Sequence, residues 1–137
     1  MYSSKETTMK KIATDKMQSA VLRDMIGVAS ADMVWISGAP SQLCVIDGEY
    51  VKREHLDEYD ILAYSLDALI DVMSQGGADV NFYYNSDDKE WYCHWKKVLC
   101  MNIMYIARVG KTKVDAAFEV VVSLYKEGYI KEDHAER

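Results

Sequence analysis

The sequence is poor in the signals that most readily assign a function. It holds one proline and three cysteines in 137 residues. No apolar run approaches the roughly 20 residues a membrane helix needs. The longest uncharged run, Met33 to Ile46, is shorter than that and is interrupted by Pro40. Lys5, Lys10 and Lys11 are followed by no apolar h-region, so no signal peptide is expected. Three cysteines (Cys44, Cys93, Cys100) cannot all pair with one another. With no export signal, the odd count predicts reduced thiols and a cytoplasmic protein.

Several chemical signatures are also missing. There is no CxxC or HxxxH pair of the kind that builds a structural zinc site. Cys93 and His94 are adjacent on a predicted strand and point to opposite faces, so they do not share an ion. Neither a glycine-rich phosphate loop nor a nucleophile elbow is present. No cofactor and no metal are therefore expected. Cys44 or Cys93 with His55 or His94 and a nearby acid would supply the residue types of a cysteine-dependent enzyme. Nucleophile and base must lie within hydrogen-bond reach, and spacing alone does not place them there. Three cysteines and three histidines assemble such sets by chance, so the reading leans away from an enzyme.

Basic residues are in deficit as well. Lys plus Arg is 16 against 22 Asp plus Glu, for a net charge of −6. An acidic chain is repelled by phosphate at long range, which counts against nucleic acid as a partner. The charge is unevenly placed. Glu54, Asp57, Glu58, Asp60, Asp67 and Asp71 occupy a stretch with no Lys or Arg. Lys96, Lys97, Arg108, Lys111 and Lys113 occupy one with no Asp or Glu. The plain account is two solvated faces attracting each other. The sharper account is an acidic face docking on a basic partner.

What remains is ordinary globular material, half hydrophobic and 28% charged. The length suits one domain, taken here as residues 1–137. A helix is predicted over about 8–31, with Met17, Val21, Met25 and Val28 as its apolar stripe and Leu22 and Ile26 alongside. Met33 to Ile36 reads as a short strand. Asp47-Gly48 between apolar runs predicts a hairpin over about 43–52 with a type I′ turn. Ser65 to Gln75 reads as a helix stopped by Gly76-Gly77. Val80, Phe82 and Tyr84, then Trp91, Cys93 and Trp95, alternate as a second hairpin. A third strand fills the latter half of Val98 to Val109. Thr112 opens a last helix in capping-box fashion, ending near Gly128. The tail 131–137 is expected to be loose.

The fold class that follows is α+β: antiparallel hairpins packed against helices, with an α-β-β-β-α unit over about 65–127. If Tyr83, Tyr92 and His94 share the face away from the core, that face is an aromatic protein-binding patch. Arg108, Lys111 and Lys113 supply the alternative, a phosphate-binding group at a helix start.

Two resemblances follow from these residues. Helix, three strands and helix, with Gly110-Lys111-Thr112-Lys113 before Ala116-Ala117, resembles the double-stranded-RNA-binding arrangement, which reads RNA by shape and phosphate contacts. Small toxin–antitoxin antidotes share this partial fold. The amphipathic helix Ser65 to Gln75, the strand ending in a polar turn, the Trp91-x-Cys93 strand and the Thr112 helix resemble the phage ABA sandwich domain. That resemblance implies a phage or prophage source, hence a host-cytoplasm location, and no particular activity. The leading expectation is a small phage-type accessory protein acting by protein–protein binding. One concrete form is an inhibitor of a host-defence protein, its acidic face occupying a nucleic-acid groove.

Overall fold

The computed structural model describes residues 11–37, 41–48 and 51–130. The architecture is α+β. Among the described residues, two three-stranded antiparallel sheets are joined by three α-helices.

Helix α1 is Lys16–Ile26. The helix expected over about 8–31 is corrected to this shorter span: within the described residues, the chain ahead of Asp15 and immediately beyond Ile26 is not helical, and Asp15 caps the start. The Asp15 side chain accepts from the Gln18 backbone, and the Gln18 side chain returns a bond to the Asp15 backbone. Gly27, at φ 84°, ends the helix. The predicted apolar stripe is rotated. Ser19, Leu22 and Ile26 are buried, while Met17 is 82% exposed and Val21 lies outside the core. Ser19 faces inward because its hydroxyl bonds Thr14 Oγ1 at 2.8 Å, which satisfies both buried polar groups.

Strand β1, Met33–Ile36, is central in the first sheet. It pairs with β2, Gln42–Val45, and with β3, Ile61–Ala63. The hairpin expected over 43–52 is therefore corrected: β2 returns on β1. Glu49 and Tyr50 lie outside the described residues, and Val51 and Lys52 belong to no strand. Asp47 has φ 59° but Gly48 does not have positive φ, so the type I′ condition is unmet. Asp47 instead accepts from the Arg53 backbone at 2.9 Å, closing a wider loop.

Tyr64, directly after β3, is fully buried and ties α1 in place. Its backbone N–H donates to Thr14 Oγ1 at 3.0 Å and its hydroxyl to the Gly27 carbonyl at 2.6 Å. Leu22, Ile26 and Tyr64 belong to the same hydrophobic cluster as the C-terminal elements. The N-terminal helix thus packs on its own chain.

Helix α2, Leu66–Met73, is capped by Ser65, and positive φ at Gly76 and Gly77 turns the chain out of it. Strands β4, Asp79–Asn85, β5, Glu90–Leu99, and β6, Asn102–Gly110, form a meander. Helix α3, Lys113–Lys126, is capped by Thr112 and completes the α-β-β-β-α unit. Both helices cover one sheet face. Ala68, Leu69, Val72 and Met73 of α2 and Val114, Ala117, Val121 and Leu124 of α3 cluster with Cys93, Trp95 and Ile106. Burying one large apolar side chain contributes about 1.5–3 kcal/mol, so this cluster dominates the stability. Trp95 fits because its indole N–H donates to the Met73 carbonyl at 2.8 Å. Gly110 is required at the crossing into α3, where a Cβ would sit 2.5 Å from the Ala116 nitrogen. Among the described residues, no helix is long and apolar enough to cross a membrane.

The meander extends further than expected. Val98 and Leu99 finish β5, and the turn falls at Cys100 and Met101, both at positive φ (47° and 75°). Strand β4 reaches only the Lys96 rung. The β5–β6 hairpin therefore projects past it as an arm.

Candidate protein-binding surface

Strand alternation decides what the second sheet shows to solvent. Phe82, Cys93 and Arg108 are paired across the three strands, as are Val80, Trp95 and Ile106. Paired residues share a face, and these rungs lie on the helix side. The alternate rungs, Tyr83–Tyr92–Val109 and Asn81–His94–Ala107, lie on the open side. Tyr105, opposite Lys96, joins them there.

The open-face aromatics touch one another. Tyr83 and Tyr92 stack with ring centres 5.2 Å apart and planes 7° from parallel. His94 meets Tyr83 edge-on at 5.1 Å and Tyr105 at 5.7 Å. Its Nδ1 and the Tyr105 hydroxyl share a 2.6 Å hydrogen bond. The Tyr92 hydroxyl donates to Asp88 at 3.3 Å. Desolvation, then the Asp88 carboxylate, raises the Tyr92 pKa above its ordinary 10.0. Tyr83 is 48% and Tyr105 55% exposed, so the array is ordered by its own contacts yet accessible. The three residues expected to form an aromatic patch, Tyr83, Tyr92 and His94, are brought together. Tyr105 and Val109 belong with them.

The acidic residues do not form one continuous surface. Asp67 and Asp71 lie on α2 and line a cleft with Asp32. Asp57, Glu58 and Asp60 line another with Arg23 and Arg53. Glu54 sits in the short 3₁₀ turn Arg53–His55 and lines neither cleft. Part of this charge is structural. Asp60 accepts from the backbones of Asp57 and Ser37, both at 3.0 Å, and these bonds lower its pKa from 3.8. Asp57 accepts from the Tyr59 backbone at 2.8 Å. The Arg53 guanidinium donates to the carbonyls of Val28 and Ala31.

The candidate phosphate ligands are engaged elsewhere. Lys111 lies 3.6 Å from Glu90. Lys113 Nζ sits 4.7 Å above the Trp91 ring. Arg108 donates to the Ala107 carbonyl at 2.7 Å. The first turn of α3, which Lys111 precedes and Lys113 opens, also carries Asp115.

The cysteines are dispersed. Cys93 is fully buried, its Sγ 3.8 Å from Met73 Sδ, and desolvation pushes its pKa up to about 12. His94 points to the opposite face, so the two form no dyad. Cys44 is half-buried on β2 and Cys100 is exposed at the arm's turn. Among the described residues, no three His, Cys, Asp or Glu side chains cluster to hold a metal ion.

Comparison of the chain with protein-family models, curated proteins and solved structures returned no match.

Proposed function

We propose that this chain is a protein-binding module whose partner docks on the open face of the β4-β5-β6 sheet. The Tyr83–Tyr92–His94–Tyr105 array carries the reading. Tyrosine combines large apolar contact area with a hydroxyl and few rotatable bonds, and it is enriched where protein interfaces concentrate their energy. The rim is polar and mixed in sign, with Asp79, Asn81, Glu90 and Lys96 around the aromatic centre. An aromatic centre inside a polar rim is the usual anatomy of a protein interface. The matching partner surface is apolar and near neutral.

The same face argues against single-stranded nucleic acid. Such proteins stack bases on aromatics but also track the backbone with a basic groove. Here Lys96 is the one basic residue of the paired open-face rungs, and Asp79 is paired with it. Double-stranded RNA has less support still, since Lys111 is drawn to Glu90 and Lys113 lies over the Trp91 ring. An inhibitor working through an acidic face is also less supported, because five of those acids divide between two clefts, Glu54 lines neither, and Asp57 and Asp60 hold loop backbone. A phage accessory role remains compatible with binding through the aromatic face.

The test is capture of a partner from nuclease-treated bacterial lysate, comparing two double variants. Tyr83→Ala with Tyr105→Ala should abolish capture at a cost of about 1–2 kcal/mol of stability from the lost ring contacts, with the fold retained by circular dichroism. Asp67→Lys with Asp71→Lys should retain it. The opposite pattern would transfer the binding site to α2.

A further inference from the structure

Strand β6 is an edge strand with little of the protection that edges normally carry. It runs nine residues, Asn102–Gly110, without proline and with one charge, Arg108. Natural edges are blunted by lysines, prolines, bulges or covering loops, because an uncovered edge recruits another strand. Among the described residues, no backbone bond from another element reaches β6 on its outer side. The Ala107 carbonyl takes its recorded side-chain bond from the neighbouring Arg108. Ile103 is 66% and Val109 38% exposed, so the edge carries apolar surface as well as open backbone.

We infer that β6 pairs antiparallel with β6 of a second copy, about a two-fold axis at Ile106. Three observations fit this occupant. First, of the registers that keep both open faces on one side, the one centred at Ile106 pairs all nine residues of the strand. Second, that register is chemically self-complementary. Ile103 falls opposite the partner's Val109, Tyr105 opposite the partner's Ala107, and Arg108 opposite the partner's Met104. The single edge charge thus never meets its own copy, whereas centring the pairing on Arg108 would place like charges directly opposite. Third, the projecting arm gains neighbours. Its Val98–Ile103 rung, beyond the reach of β4, falls in line with the partner's Val109–Tyr92–Tyr83 rung.

An antiparallel pair related by a two-fold perpendicular to the sheet keeps both helix layers on one side. The product is a six-stranded sheet with one continuous aromatic face. This pairing goes beyond the proposed docking on that face. It is read through oligomeric state rather than partner capture, so either idea can fail alone.

The experiment is mass determination by light scattering on a sizing column, over a range of concentrations, for the full chain and two variants. The unmodified chain should run at twice its 15.7 kDa mass. Ile103→Lys with Val109→Lys sets like charges opposite one another twice across the interface. It should weaken association about tenfold or more. Ile103→Glu with Val109→Lys sets opposite charges in the same two places and should restore the dimer. Both positions are exposed and six residues apart on one strand, so neither variant should disturb the monomer fold, which circular dichroism checks. A monomer at every concentration overturns the pairing. So does a dimer that survives the double lysine change, or one that the Glu/Lys change fails to restore.

Discussion

Asp115 is a junction between the two ends of the chain, and its removal should be costly. Its carboxylate accepts from Lys11 Nζ at 2.7 Å, Gln18 Nε2 at 2.9 Å and Thr112 Oγ1 at 2.9 Å. The first two bonds tie the start of α1 to the start of α3. A hydrogen bond to a charged group contributes about 1.5–3 kcal/mol. The Lys11 and Asp115 side chains are each about a quarter exposed, so water screens part of that. Lys11 also keeps contacts to Gln18 and Asp15 when Asp115 is gone. Asp115→Ala should therefore cost about 2 kcal/mol, which for a chain of this size lowers the thermal midpoint by about 4–8 °C. The charge can be isolated by pH. Burial alone would raise the Asp115 pKa, but the bonds from Lys11, Gln18 and Thr112 outweigh it and hold the carboxyl below 3.8. A depressed folded pKa gives stability that is complete above the ordinary value and lost as pH falls through the folded one. The midpoint gap between the unmodified chain and Asp115→Asn should then be constant near neutrality and shrink below pH 3.8. Thermal melts by circular dichroism across that range read both effects. A midpoint change under about 1 °C for Asp115→Ala, or a gap that ignores pH, would refute the reasoning.

Three further outcomes are expected. Trp95→Phe leaves the buried Met73 carbonyl without its indole partner and should cost about 1–3 kcal/mol in urea unfolding; a loss under about 0.5 kcal/mol would mean the carbonyl finds another donor. Cys100→Asn with Met101→Gly puts residues suited to positive φ at the arm's turn and should raise stability by about 1 kcal/mol, visible as a higher melting midpoint; a decrease would mean the native side chains contribute packing there. In the folded protein at mild alkaline pH, a thiol reagent should label Cys100 quickly and Cys93 only on unfolding, because burial holds Cys93 protonated at a pKa of about 12. Equal labelling rates for the two would contradict that burial.

The elements announced by local chemistry were legible before the structure. Thr112 caps its helix as its hydroxyl predicts, the apolar spacing after Ser65 marks α2, and the Phe82/Cys93 alternation marks β4 and β5. The elements missed are those fixed by distant partners. Ile61–Ala63 is three residues long, too short for alternation to announce it; it is a strand because β1 pairs with it. Cys100-Met101 has no turn composition, so the end of β5 was hidden inside an apolar run. Asp47-Gly48 has turn composition, but β1 claims β2 first. The surface divides the same way. Tyr83, Tyr92 and His94 share a face by counting alternate residues within one hairpin. Tyr105 and Val109 needed the β6 register, which only the misplaced turn could supply. The acids looked continuous along the chain because sequence order hides that α2 and the 53–60 connection line different clefts.

Tyr64 has a kinetic consequence. Its backbone holds Thr14, just ahead of α1, and its hydroxyl holds Gly27, just after it. A helix fastened at one end frays progressively from the other. A helix clamped at both ends by one residue has no free end from which to unwind. Opening α1 then requires releasing Tyr64 from the core, so the helix and the end of β3 form one cooperative unit. Their amide protons should exchange with solvent together, at a single rate, instead of in a gradient along the helix.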